Sequence, residues 1–267
     1  MQMVAASKMR KAQQAALVIR PFAHMLYRIQ RRAVTHAENF THPLLEPREV
    51  RRRAVILIGT DRGLCGSLNT NLFRAAAAFD PDTTVYIAVG KRAAQFIART
   101  RRKLVAEFTF SDSPRYAEAR PIAAFARDLF LKGEVDQIQV VVTHFVNTLT
   151  QQTAVMDFLP IGEIRQLNIP GTEAEAELNG HSGEIVFEPS AAAVLSYLIG
   201  HCLNVYIHAV LLDARASEQS ARMVAMSGAT DNATALIKEL TLEYNKLRQG
   251  NITQELLEIM GGQIANQ

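Results

Sequence analysis

Residues 59–71 read GTDRGLCGSLNTN and follow directly on the apolar run RRRAVILI. Three glycines, a cysteine and a close set of hydroxyl and amide side chains are the residue types that cradle phosphate or carry a nucleophile. A strand that ends in a glycine-rich turn and opens a helix aims backbone N–H groups at an anion. The spacing does not fit. Gly59, Gly63 and Gly66 miss the G-x-G-x-x-G pattern, and no Gly-Lys-Ser/Thr closes the loop. Cys65 has Arg62 nearby in sequence, and a neighbouring guanidinium lowers a thiol's pKa. No histidine with an orienting partner stands out as its base. What remains is a tight strand-to-helix turn, with Asn69 or Thr70 capping the helix that follows.

Other candidate residues divide in the same way. The clusters RRR at 51–53 and RTRRK at 99–103 are basic enough to meet nucleic acid. They lack the interleaved aromatics of a stacking surface, and a solvated face is the simpler reading. His201 and His208 lie seven residues apart, two turns along one helical face, but without a third ligand they make a poor metal site. Met223 and Met226 read as packing. Arg222 is the better functional candidate, because a long cation beside an apolar seam must reach a neighbour or water.

These residues need a scaffold, and composition bounds it. The chain has 267 residues, of which 48% are hydrophobic, enough for one or two domains with a full core. No apolar run comes near the roughly 18 residues of a membrane span, so a soluble or peripheral protein is expected. The start lacks the apolar stretch of a secretory signal. Cys65 and Cys202 are too few and too far apart for a disulfide framework. Charge is uneven. Residues 1–53 carry eleven Lys or Arg against three Glu, which is +8, so the remainder sums to 3 − 8 = −5. A basic arm on a mildly acidic body suggests an anionic partner for the arm.

Three parts follow along the chain. Residues 1–40 read as one helix, with Ala15, Val18, Phe22, Met25 or Leu26, Ile29 and Ala33 at spacings of three and four, and Pro21 inside the pattern. Residues 41–53 read as a linker. Residues 54–188 alternate strand and helix: AVILIG, NTNLFRAAAAF, TVYIAV, GKRAAQFIART, VAEFTF, SPRYAEARPIAAFARDLFLKG, QIQVVVTHF, TAVMDFLP and a closing EIVFEP. That order predicts a mostly parallel sheet covered on both faces, with a hairpin between the strands at 137–145 and 153–159. Residues 161–183 read as a surface loop.

Residues 189–267 form a second long helix. Every seventh residue from Leu195 gives Cys202, Ala209, Ala216, Met223, Thr230, Ile237 and Tyr244. From Leu198 it gives Val205, Leu212, Gln219, Met226, Ala233, Leu240 and Leu247. Only Thr230 and Gln219 break this apolar seam. It spans about 80 Å of helix, a length expected of a coiled coil. The predicted fold is therefore α/β, an antiparallel coiled coil of N- and C-terminal helices with an inserted Rossmann-like α/β domain.

Four stretches, MVAASKMRKAQ at the start, TDRGLCGSLNTNLF at 60–73, ASEQSARMVAMSGATDNA at 216–233 and YNKLRQGNITQELLEIMGG at 244–262, resemble the gamma subunit of F-type ATP synthases. The resemblance covers the whole chain. It implies a central rotor stalk of the bacterial type, without catalysis, cofactor, metal or direct nucleotide binding. The implied partners are the alpha and beta subunits of the catalytic ring, the epsilon subunit and the membrane ring of c subunits. The implied place is the cytoplasmic face of the bacterial plasma membrane, held peripherally through the complex. The family usually starts about twenty residues earlier, so the chain is expected to lack that segment. By resemblance Lys8, Arg10 and Lys11 face acidic loops of beta, Arg222 helps contact beta, and Gln249, Thr253 and Glu255 seat in the collar of the catalytic ring. Two other classes stand beside this one: an α/β nucleotide-binding enzyme with coiled-coil dimerisation arms, and a DNA-associated coiled-coil protein.

Overall fold

The computed structural model describes residues 2–36, 42–161, 188 and 190–264. The expected closing strand EIVFEP and the loop at 162–183 lie outside the described residues. The chain divides into two compact units, Met1–Val224 and Ala225–Gln267.

The first unit opens with helix α1, Gln2–His36, which continues through Pro21. Then come β1 (Arg53–Ile58), α2 (Leu68–Ala77), β2 (Thr84–Val89), α3 (Lys91–Arg99), β3 (Lys103–Phe108), α4 (Tyr116–Leu131), β4 (Gln137–Phe145) and β5 (Gln151–Leu159). The sheet order is β3-β2-β1-β4-β5. The first four strands are parallel and β5 closes it antiparallel to β4. Alternation of side chains across the pleat builds two cores. Ala54, Ile56 and Ile58 face α4 and the long final helix α5, Ala191–Ile264. Val55 and Leu57 face α2 and α3. β1 is thus apolar on both faces, as a central parallel strand must be.

The last helix differs from the expected simple seam. Leu195, Leu198, Cys202, Val205, Ala209, Leu212, Ala216 and Gln219 are all buried, but so are Ile199, Leu203, Tyr206, Ile207, Val210 and Leu211 between them. This half of α5 packs into the sheet's core as well as against α1, so it is covered on nearly all sides. One stretch of α5 is long and apolar enough by composition to cross a bilayer, which corrects the sequence expectation; 61% of it is buried inside the protein.

α1 also turns a partly different face inward, sharing only Leu26 of the two residues expected at that turn. The buried or packed residues are Ala5, Ala12, Ile19 and Leu26, a strict seven-residue line. Val18, Phe22 and Met25 are exposed. Their stripe lies round the helix from the buried line and borders a groove. The side chains of Ile29 and Ala33 lie outside the described ones. Phe22 meets His201 while Lys8 meets the residues around Arg215, so α1 and α5 run antiparallel.

The segment 42–52 is packed, not free. Leu44 is buried, its carbonyl accepts the Ile161 N–H, and Arg48 lies over the Phe130 ring and donates to the Phe130 carbonyl.

In the second unit α5 continues as helix. Ile237, Leu240, Tyr244 and Leu247 of the seam are exposed there, as are their polar neighbours.

Candidate functional site

The loops that follow β1 and β3 leave the carboxyl-terminal edge of the sheet and meet α5 at residues 215–222. Charged side chains gather at this joint. Arg215, only 2% exposed, projects from α5. Its Nη1 donates to Glu218 Oε2 at 2.5 Å, and its Nη2 donates to the carbonyls of Ser111 at 2.8 Å and Phe110 at 3.3 Å. The guanidinium also lies 4.7 Å from the centre of the Phe110 ring and 3.6 Å from Asp112 Oδ1. Asp61 Oδ2 is 4.0 Å away.

Two more cations extend the network. Lys8 of α1 donates to Asp112 Oδ2 at 2.5 Å. Arg222 donates to Glu218 Oε1 at 2.7 Å and reaches the carbonyls of Gly63 and Arg62 at 3.3 and 3.4 Å. Glu218, itself buried, therefore serves two guanidiniums, one per oxygen. Spacings of three and four residues set Arg215, Glu218 and Arg222 along one stripe of the helix. The carboxyl group of Asp112 is held below its usual range, first by the hydrogen bond from Lys8 and then by the nearby charges of Arg215, Lys8 and Arg62, against a smaller opposing effect of burial. The chain Lys8–Asp112–Arg215–Glu218–Arg222 ties α1, the loop after β3, α5 and the loop after β1 into one body. In a low-dielectric surrounding such pairs are strong when both partners are present and costly when one is lost.

The glycine-rich loop sits within this joint. Leu64 and Gly66 adopt left-handed backbone. The loop turns carbonyl oxygens toward Arg222, the opposite polarity to a phosphate cradle, which offers N–H groups. Cys65 is 2% exposed and packs with Leu68 and with Ala221 of α5. Burial pushes its thiol up from the usual range, and the guanidinium that opposes this is Arg222, not Arg62. The expected cap is also different. Ser67 precedes α2 without a side-chain capping bond to the helix backbone, while Asn69 Nδ2 donates to Thr60 Oγ1 at 2.8 Å and to Cys65 Sγ at 3.3 Å. Asn69 braces the loop from within.

A cavity of about 530 Å³ lies beside α5, lined among others by Val18, Phe22, Tyr116, His201 and His208. His208 Nε2 donates to the Pro114 carbonyl at 3.1 Å, so that nitrogen carries hydrogen. His201 Nδ1 is 3.0 Å from the Tyr116 hydroxyl. Both imidazoles are structural neighbours of α4.

A family model described as ATP synthase matches residues 1–265. The ATP synthase gamma chain of Opitutus terrae is 44% identical over 269 residues, covering 99% of this chain and 91% of the relative. That of Methylacidiphilum infernorum is 39% identical over 275 residues, covering 99% and 92%. The chain belongs to the ATP synthase gamma family. Among solved structures, the central stalk and c-ring of the Tetrahymena thermophila mitochondrial ATP synthase contains a chain of the same fold. It has a TM-score of 0.63 and 22% identity, with 86% of this chain and 97% of that one covered. A chain of the Euglena gracilis mitochondrial ATP synthase gives 0.62 at 19% identity, covering 99% and 94%.

Within this gamma-family fold the expected contact residues fall in different surroundings. Arg10 and Lys11 are exposed on α1, whereas Lys8 is engaged by Asp112. Arg222 is turned into its own chain, toward Glu218 and the loop carbonyls. Gln249, Thr253 and Glu255 are exposed in the second unit, where the Thr253 hydroxyl donates back to the Gln249 carbonyl at 2.8 Å. Sequence reasoning missed Arg215, Glu218 and Asp112. The signal was present in part: DARASEQSAR is a run of alternating charge inside an otherwise apolar helix, and 215, 218 and 222 share a face.

Proposed function

We propose that this chain is the central rotor shaft of a bacterial F-type ATP synthase, transmitting torque between a proton-driven membrane ring and the catalytic alpha/beta ring. The full-length family match carries the reading, and the joint supplies its physical basis. A shaft must pass a twisting load from its globular part to its helices without local yielding. The bridge from Lys8 through Arg215 to Arg222, exposed at Lys8 and Asp112 and buried at Arg215 and Glu218, joins those parts by charge-assisted hydrogen bonds, which are short and directional. On this reading the subunit is non-catalytic and binds no nucleotide or cofactor itself. Its partners are the alpha and beta subunits, epsilon and the c-ring, and it is held at the cytoplasmic face of the plasma membrane through them.

Exposed cations suit moving contacts. Arg10 and Lys11 would pass from one beta subunit to the next, and exposed ion pairs of about 0–1 kcal/mol break as easily as they form. Gln249, Thr253 and Glu255 would meet the collar. Gln249 and Thr253 share a face and Glu255 lies on another, which fits a shaft surrounded by subunits.

Co-expression with alpha, beta and epsilon subunits of a bacterial synthase is the test. The expected result is a purified complex that contains this chain and hydrolyses ATP, with hydrolysis reduced by alanine at 249, 253 and 255. A chain that never enters the complex would refute the shaft reading. Full activity of the triple variant would refute the collar assignment.

A further inference from the structure

Two basic clusters noted in the sequence, 51–53 and 99–103, are some fifty residues apart in the chain and have no role in the joint. The parallel topology brings them together. Arg53 pairs with Thr84 on β2, and Lys103 pairs with Val85 of the same strand, so both clusters enter the sheet at its amino-terminal edge, either side of β2. Lys132, at the end of α4, joins them before β4 begins. Arg52, Arg53, Arg99, Arg101, Lys103 and Lys132 are exposed, and none has an ion-pair partner among the described residues.

Three of the nearby carboxylates have partners of their own. Glu49 pairs with Arg51, Asp136 accepts the N–H groups of Arg51 and Arg52, and Asp80 accepts from Thr83 and Asp82. Counted by charge, with Arg48, Arg51 and Arg102 included, nine cations face Glu46, Glu49, Asp80, Asp82, Glu134, Asp136 and Asp157, nine against seven, and the six unpaired cations cluster about β1 to β3. Arg102 is turned inward, capping the end of α2 by donating to the carbonyls of Ala76, Ala77 and Phe79.

Direction decides what this edge faces. α5 runs in the same sense as the parallel strands: Arg127, late in α4, lies beside Gly200, and Asp213 receives the N–H of Phe145 at the far end of β4. The basic edge therefore lies toward the start of α5, opposite the joint at 215–222.

We propose that this edge rides on the anionic headgroups of the lipid bilayer around the membrane ring. The inference rests on the shaft reading, in which the helical end enters the catalytic ring and the other end of the first unit faces the membrane. The membrane ring turns with the shaft, but the bilayer outside it does not, so an edge that reaches past the ring slides over that bilayer and is not held there by a shaped pocket. A fluid layer of anionic headgroups offers the same attraction at every angle, long-ranged and non-directional. Arginines and lysines without stacking aromatics suit that layer better than single-stranded nucleic acid.

Each Lys or Arg near an anionic bilayer strengthens binding about fivefold at moderate salt. The test is co-sedimentation of the full chain with vesicles of phosphatidylglycerol and phosphatidylcholine, and with phosphatidylcholine alone, at low and high salt. Expected is binding to the anionic vesicles only, lost at high salt. The combined variant Arg52→Gln, Arg53→Gln, Arg99→Gln and Lys103→Gln is expected to weaken it more than tenfold. Lys91→Gln with Arg92→Gln, at the opposite edge, should leave it within about threefold. Equal binding by the quadruple variant, equal binding to neutral vesicles, or salt-sensitive binding to single-stranded DNA without binding to anionic vesicles would each overturn the proposal. The quadruple variant should still assemble with alpha and beta subunits. Failure of the wild-type chain to assemble would instead sink the shaft reading.

Discussion

Glu218 is the most informative single residue to remove. Its two oxygens are hydrogen-bonded to two different guanidiniums, and it is buried with Arg215. In Glu218→Ala, Arg215 becomes a buried cation with the carbonyls, the Phe110 ring and the more distant Asp112 and Asp61 near it. Removing one partner of a buried pair costs about 3–5 kcal/mol. The surviving carbonyl contacts place this case at the lower end, about 3 kcal/mol. For a unit of this size each kcal/mol moves the melting temperature about 2–4 °C, so the expected drop is about 6–12 °C. Thermal unfolding of the full chain by circular dichroism measures it. Glu218→Gln keeps an acceptor oxygen and should recover part of the loss. Arg215→Met combined with Glu218→Leu should sit within about 1.5 kcal/mol of wild type, because well-packed apolar replacements of a buried pair are close to neutral. A drop of less than about 2 °C in Glu218→Ala would refute the idea that the bridge holds the joint.

Three further outcomes are expected. Cys65 and Cys202 are buried, with thiols pushed up from the usual range, Cys202 to about 12, so neither should react with a maleimide at pH 8 until the chain unfolds; rapid native labelling, followed by mass spectrometry, would contradict this. Gly90 has φ +99°, and an added Cβ would lie 2.5 Å from the Gly59 carbonyl oxygen, so Gly90→Ala should cost more than about 1 kcal/mol in denaturant unfolding, and a neutral effect would mean the two loops are not locked together. In the isolated chain, amides of residues 230–250, whose side chains are nearly all exposed, should exchange with deuterium faster than those of 195–221; equal protection would show that the exposed helix has found a cover.

Much of this was legible in sequence because it rests on local periodicity. AVILIG, TVYIAV and QIQVVVTHF announced central strands, and the short gap between the strands at 137–145 and 153–159 announced a hairpin, hence an antiparallel β5. The face of α1 was not legible. Val18, Phe22 and Met25 are as apolar as Ile19 and Leu26, and only the position of α5 decides which line is buried. The heptad seam of α5 is buried from Leu195 to Gln219 and exposed from Thr230 onward, and even its buried half was incomplete in meaning, since a helix pressed against both a sheet and another helix buries more than two positions in seven. The joint was the least legible feature. Its members come from residues 8, 61–63, 110–112 and 215–222, and no pattern along one chain segment predicts that Glu218 will meet Arg215 while Arg215 meets the carbonyl of Ser111.

Single-molecule rotation tests the shaft reading most directly. The chain is assembled with alpha and beta subunits fixed to a surface, and a bead is attached through a cysteine introduced at an exposed position of the first unit, such as Arg74→Cys on α2. Added ATP should turn the bead continuously in one direction, and stop when ATP is withdrawn. A complex that hydrolyses ATP at full rate while the bead stays still, or only jitters about one angle, would contradict the account.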